Sequence, residues 1–173
     1  MNKNLAASKM QIKLKAPNKL GEIEEIIYRD IESEVDFVGK KIKGCRAYCF
    51  YKDKFVIVYA DSKGYWTPPG GGVEEGESVR DAVAREVKEE TNMKVIEQKF
   101  FGLLEAIGKE RNDFYTTSMC IVEPLDEFIS DPDGEITKIK MIDLDEYKKY
   151  SDKNLGPIVD RQIERAKEVK SRI

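Results

Sequence analysis

GGGVEEGESVRDAVAREVKEETNM, residues 70–93, runs from a glycine loop into a helix whose end is crowded with carboxylates. The helix reads from about Ser78 to Thr91. Ser78 or Glu77 can cap its N-terminus, Asp81 lies in the first turn, and Asn92 follows the last turn. An acid suits the first turn, and Asn tolerates the left-handed backbone that ends helices. At about 100° per residue, Val79, Ala82, Val83 and Val87 form the stripe that should face a core. Glu86 and Glu90 fall on that same stripe, and Glu89 lies at its edge. A solvated acidic face would put the glutamates opposite the valines.

Such a helix end is costly. Like charges at i, i+3 and i+4 cost about 0.2–0.5 kcal/mol per pair. Anions near a helix C-terminus add about 0.3–1 kcal/mol each. Carboxylates beside a core also resist desolvation. Arg85 and Lys88 are near in sequence, but on the wheel they point to other sides of the helix. Two readings are open. One is an ordinary charged helix end with a salt-bridge network. The other is a site for hard Mg²⁺ or Mn²⁺, which takes several oxygen ligands at once. The preceding PPGGG favours the second, because it lets backbone approach a ligand closely and aim amides or carbonyls at it.

The spacing is more telling than the composition. Gly71, five residues, Glu77, seven residues, Arg85-Glu86-Val87, Lys88, Glu89-Glu90, Thr91, Asn92, Met93 follow in order. This resembles the Nudix box, G-x5-E-x7-R-E-U-x-E-E-x-G-U with U aliphatic, at eight of its nine defined positions. Asn92 stands where the family has Gly, and Asn can adopt the same backbone. The order of segments over most of residues 41–150 also resembles the family; residues 1–40 carry no such likeness.

The resemblance implies an α/β fold, a Nudix-like α/β/α sandwich around a mixed β-sheet in a single domain. It implies hydrolysis, by water with Mg²⁺ or Mn²⁺, of a pyrophosphate bond in a nucleoside triphosphate or a nucleoside diphosphate linked to another group. Glu86 and Glu90 would be the main metal ligands, with Glu89 sharing a metal. A backbone carbonyl at Gly70 or Gly71 would complete the shell. Glu77 and Arg85 would form a salt bridge that ties loop to helix and orients Glu86. Family members often draw a further acid from outside the box. Here SDPDGEITKIKM offers Asp131, Asp133 and Glu135, and Glu135 is favoured because it directly precedes a strand. Without such an acid, Glu86 or Glu89 would activate the water. Tyr65, Trp66, Phe114 and Tyr115 are candidates to stack on a base. Two alternatives stand beside the enzyme: a Nudix domain that only binds a nucleotide and regulates, and removal of pyrophosphate from an RNA 5′ end. Retention of Glu77, Glu86, Glu89 and Glu90 favours catalysis.

The rest of the chain frames this motif. KGCRAYCFY and KFVIVYA read as a hairpin across KDK. VIEQKFFGLLEAIG, FYTTSMCIVEPL and ITKIKMIDL read as strands, and DLDEYKKY as a short helix. NLGPIVDRQIERAKEVKSRI reads as an amphipathic C-terminal helix, with Leu155, Ile158, Val159, Ile163, Ala166 and Val169 on one stripe and Pro157 in its first turn. Residues 20–38 are ambiguous: Ile23, Ile26, Ile27 and Ile31 fit helical spacing, while Val35 and Phe37 alternate like a strand. The expected organisation is an N-terminal extension over 1–40, ordered in part, and one domain over 41–173.

Composition narrows the function classes. There is no His, so acid–base work falls to Asp, Glu, Lys, Tyr or Cys. Thirty basic and 33 acidic residues leave a net charge of −3, with no general drive toward DNA or an anionic membrane. Cys45, Cys49 and Cys120 form no CxxC pair and read as packing residues. With no apolar leader or membrane span, the expectation is a cytoplasmic protein with a small nucleotide as its partner. A homodimer through residues 1–40 or 154–173 is compatible with the sequence.

Overall fold

The computed structural model describes residues 10–128, 131–132 and 134–173. Its strands are β1 (Gln11–Pro17), β2 (Ile23–Asp30), β3 (Ile42–Tyr51), β4 (Lys54–Ala60), β5 (Tyr65–Thr67), β6 (Met93–Ile107), β7 (Asn112–Pro124) and β8 (Ile136–Ile142). They form one sheet in the order β1-β2-β6-β7-β3-β4-β5, with β8 also paired to β4. The β3–β7 pair is parallel and the others are antiparallel, so the sheet is mixed. Helices α1 (Val79–Thr91) and α2 (Gly156–Lys170) cover its two faces.

Alternation along β3 builds both cores. Cys45, Ala47 and Cys49 meet Ala82, Val83 and Val87 of α1, together with Cys120 and Val122 of β7. Tyr48 and Phe50 point the other way, into a cluster with Phe55, Ile57, Phe101, Met119, Ile163 and Ala166 of α2. All three cysteines are buried and unbridged, as packing residues should be. Burial of a valine stabilises by roughly 1.5–3 kcal/mol. Val83 and Val87, which have no exposed surface, therefore set how α1 docks.

Both ends of α1 follow the sequence. The Ser78 hydroxyl accepts from the Asp81 backbone N–H at 3.0 Å. At the other end Asn92 takes φ 53 and ψ 37, and its N–H reaches the Lys88 carbonyl at 2.8 Å. The left-handed turn that the motif assigns to glycine is thus supplied by asparagine.

Elsewhere the structure resolves what spacing left open. Ile23–Ile31 does not coil: residues 23–30 are strand β2, between β1 and β6. Ile26 and Tyr28 pack toward α2 on a face that also buries Glu24 and Asp30, and Ile27 is buried on the other, so the apolar residues show no period of two. Val35 and Phe37 do not alternate in a strand; they belong to a 3-10 turn over Glu34–Phe37 that buries Phe37 and exposes Val35. DLDEYKKY is a short helix as read, of 3-10 type, over Leu144–Lys149. Residues 11–30, read as part of an N-terminal extension, supply two strands of the same sheet as the motif.

Candidate active site

Helix α1 presents its acidic end to a loop that is stitched along β3. The Ala47 N–H donates to the Pro69 carbonyl at 2.8 Å, and the Cys45 N–H to the Gly71 carbonyl at 2.9 Å. The Val73 N–H closes the seam on the Lys43 carbonyl at 3.1 Å. Arg46 adds its side chain, donating to the Thr67 hydroxyl and to the Pro68 carbonyl. Two glycines are required here for different reasons. Gly70 has φ +149, and a Cβ there would sit 2.1 Å from the Cys45 carbonyl oxygen. A Cβ on Gly71 would lie 2.5 Å from a carboxylate oxygen of Glu86. The loop can therefore approach both β3 and α1 only without side chains.

Glu90 closes the helix stripe. It is buried, and its Oε2 accepts from the Gly70 N–H at 2.8 Å. Burial pushes its carboxyl up to about 7; the Gly70 N–H and Arg46 pull it down, while the Glu86 and Asp131 charges push it further up. Glu86 is raised as well, first by burial and also by Glu89 and Asp131, against the opposing pull of Arg85.

Arg85 does not point away from these acids, as the helical wheel suggests. Its guanidinium curls back. Nε and Nη2 grip Glu77 at 2.9 and 3.0 Å, and Nη1 donates to Glu86 at 2.8 Å and to Glu89 at 3.1 Å. Nη2 also reaches the Gly72 carbonyl at 2.9 Å. The expected Glu77–Arg85 pair is present, bidentate, and ties the glycine loop to the helix. Arg85 holds the Glu77 carboxyl below the ordinary carboxylate range.

Glu86, Glu89, Glu90, Asp131 and Glu135 line one cleft of about 280 Å³ with Gly70, Gly71, Gly72 and Lys63. The structure thus gathers Glu86, Glu89, Glu90, Glu135, Gly70 and Gly71, with Arg85 and Glu77 behind them. It does not bring Tyr65, Trp66, Phe114 or Tyr115 to this cleft. Phe114 packs with Ile42 and Phe100 on the α1 side, and Tyr115 with Leu104 and Ile158 on the α2 side. As neighbours in one strand they face opposite ways. Trp66 packs against Tyr59 and Tyr150, with the Lys140 ammonium over its ring. A larger hollow, about 410 Å³, lies elsewhere, where the Arg29–Glu105 pair helps to line it.

Asp131 has a role that sequence reasoning missed. It is buried, and its carboxylate accepts from the Glu135 and Ile136 N–H groups at 3.2 Å each. It therefore shapes the turn that delivers Glu135; an Asp a few residues before a strand is the available signal. Glu135 is the more exposed of the two. Asp133 lies outside the described residues.

The donor chemistry suits a hard divalent cation. Every titratable ligand in the cleft is a carboxylate; Glu86 shares Arg85 with Glu77 and Glu89, and the buried Glu90 is held by a backbone N–H. Among the described residues, no group of three or more acidic or thiol ligands already surrounds one point. Glu86 and Glu89 are turned to Arg85, and Glu90 to Gly70. Convergence on an ion requires these side chains to turn from those partners.

Comparison with known proteins agrees with this geometry. The sequence profile of the NUDIX domain matches residues 47–162. The uncharacterized Nudix hydrolase YvcI of Bacillus subtilis is 41% identical over 58 residues, 34% of this chain and 37% of that protein. Nudix hydrolase 5 of Arabidopsis thaliana is 29% identical over 116 residues, 60% of this chain and 37% of that protein. The chain thus spans just over a third of the length of these curated relatives. Among solved structures, a point mutant of the pyrophosphohydrolase BsRppH of Bacillus subtilis superposes with a TM-score of 0.63 at 21% identity, covering 87% of this chain and 96% of that one. At that identity the likeness concerns the fold.

Proposed function

The chain belongs to the Nudix family, whose members generally use a divalent metal, and from that premise we propose that it hydrolyses a pyrophosphate bond in a nucleoside triphosphate or in a nucleoside diphosphate linked to another group. One observation carries the reading: Glu86, Glu89 and Glu90 of a single helix meet the Gly70–Gly72 loop in one cleft, where Arg85 is shared among Glu77, Glu86 and Glu89 and the buried Glu90 is held by a backbone N–H.

In this reading Glu86 and Glu90 are the main ligands for Mg²⁺ or Mn²⁺, and Glu89 shares a metal. Gly71 already has its carbonyl committed to β3, so Gly70 is the backbone donor we favour. A bound divalent ion supplies neutralisation of the diphosphate and lowers the pKa of the attacking water. The chain's own part is positioning. Arg85 restrains Glu86 and Glu89, and the Gly70 N–H restrains Glu90. Glu135, or a box glutamate in its place, takes the proton as water oxygen attacks one phosphorus. The bridging P–O bond breaks, and its electron pair leaves on the departing phosphate. No covalent nucleophile is needed.

Among the described residues, no helix is long and apolar enough to cross a membrane. Three buried, unbridged cysteines support a reducing compartment, and we place the protein in the cytoplasm. Dimerisation stays a proposal that sedimentation tests. The test of function is a panel of nucleoside triphosphates, dinucleoside polyphosphates, ADP-ribose, nucleotide sugars and 5′-triphosphate RNA with Mg²⁺. Turnover of at least one is expected. Absence of any turnover contradicts the enzyme, and tight nucleotide binding without turnover supports the regulatory alternative.

A further inference from the structure

The cleft holds five carboxylates, and a diphosphate must enter it. Which protein cation meets the phosphate? Arg85 is unavailable. Its five N–H donors already serve Glu77, Glu86, Glu89 and Gly72. Arg46 directs Nη1 to Thr67 and Pro68 and does not line the cleft. Among the described residues, the one cation lining the cleft is Lys63.

Its placement is specific. Lys63 sits in the turn between β4 and β5, where the Lys63 and Gly64 N–H groups both reach the Ala60 carbonyl, at 3.1 and 2.8 Å. Gly64, at φ +72, closes that turn. The Asp61 N–H donates to the Glu135 carbonyl at 3.0 Å, which locks the turn to the strand start that carries Glu135. The backbone is therefore fixed while the side chain is not. The Lys63 ammonium lies 3.9 Å from Glu135 Oε2, beyond hydrogen-bond distance, and both side chains are partly exposed. A pair of that kind holds its lysine weakly. An ammonium on a four-carbon stem, fixed at its root and loosely held at its tip, suits a phosphoryl oxygen better than a carboxylate it does not touch.

We propose that Lys63 is the chain's own contact to the diphosphate, its ammonium donating to a non-bridging phosphoryl oxygen. This rests on the pyrophosphohydrolase reading and adds the substrate-binding residue that the motif lacks. The competing role is a rim ion pair that merely holds Glu135. The two differ in sign. Removing a cation that repels metal leaves metal affinity equal or higher, whereas removing a phosphate ligand weakens the diphosphate.

The test uses the full chain as wild type, Lys63→Met and Lys63→Arg. Mn²⁺ binding is followed by electron paramagnetic resonance. Methylenediphosphonate, a diphosphate core that cannot be cleaved, is titrated with Mg²⁺ by ³¹P NMR. Lys63→Met should weaken the diphosphonate by about tenfold, the worth of one charge-assisted hydrogen bond, with Mn²⁺ affinity unchanged or raised. Lys63→Arg should retain most of the affinity. Equal diphosphonate binding by Lys63→Met overturns the proposal. So does loss of both affinities together, which marks a structural role, and so does failure of the wild type to bind the diphosphonate. Wild-type turnover of the nucleotide panel separates the two ideas. Turnover that Lys63→Met leaves untouched sinks Lys63 alone, and absence of wild-type turnover sinks the hydrolase.

Discussion

Two of the regions that bury carboxylate in this molecule treat it in opposite ways. Under α2, Asp30 is 6% exposed and Arg165 3% exposed. Asp30 receives Arg161 through Nε and Nη2, at 2.6 Å for the shortest contact. Arg165 reaches Glu32 at 2.6 Å, Glu168 at 2.8 Å and the Ile31 carbonyl at 3.2 Å. Every buried charge there has an opposite charge within hydrogen-bond distance. At the end of α1, Glu90 is 9% exposed, and a backbone N–H holds it instead of a cation. Its neighbours Glu86, Glu89, Asp131 and Glu135 add more negative charge. Balanced burial fastens a helix. Unbalanced burial marks where a cation from outside belongs, which is why we read one cluster as architecture and the other as a site.

The contrast can be broken by substitution. Asp30→Asn should have the largest effect, because it removes the buried charge that Arg161 grips at 2.6 Å and that lies 3.9 Å from the buried Arg165. About 3–5 kcal/mol of stability should be lost, read as a lower urea midpoint, with activity per folded molecule near wild type. Glu90→Gln should do the reverse. Turnover should fall by at least about 100-fold, or ~2.7 kcal/mol of barrier. The midpoint should hold or rise, because a buried charge without a cation has been removed. A Glu90→Gln protein that unfolds would make Glu90 structural and erase the distinction. Glu77→Gln tests the clasp between loop and helix. It should reduce activity or metal affinity by about 10–100-fold, the usual range for groups that orient metal ligands, while urea stability moves less than in Asp30→Asn.

The smallest effect is expected at the rim of the balanced cluster. Glu168 is partly exposed, and its carboxyl is held below the ordinary range chiefly by the Arg165 hydrogen bond. Its contribution is present above the normal carboxylate pKa and fades as pH falls through the lowered one. Glu168→Gln should cost under about 1 kcal/mol at neutral pH and nothing in acid, with turnover unchanged.

Much of this was legible in the sequence. The valine stripe that ends in glutamate, the Ser78 cap and the Asn92 stop follow from spacing along one helix, and the Glu77–Arg85 pair from the resemblance to the Nudix box. What failed depended on long-range neighbours. Strand β2 was ambiguous because its buried face carries Glu24 and Asp30 beside Ile26 and Tyr28, and Ile27 is buried on the other, so no apolar alternation marked it. Arg85 escaped the wheel because a long side chain curls back across the helix surface, reaching Glu86 next to it and Glu89 a turn on. Lys63 enters the cleft from the β4–β5 turn just before the motif, where no spacing marks it, and Asp131, one of the acids the sequence offered, shapes its turn through contacts the sequence does not show. Phe114 and Tyr115 carry the opposite lesson. Adjacent residues of a strand cannot line one pocket, and period-two geometry already separates them.

The central claim is that the acidic end of α1 holds a divalent cation. Mn²⁺ titration of the wild type and of Glu90→Gln, followed by electron paramagnetic resonance, tests it without any substrate. The wild type should bind Mn²⁺, and Glu90→Gln should bind it at least about tenfold more weakly. Equal affinity in the two proteins would contradict the assignment.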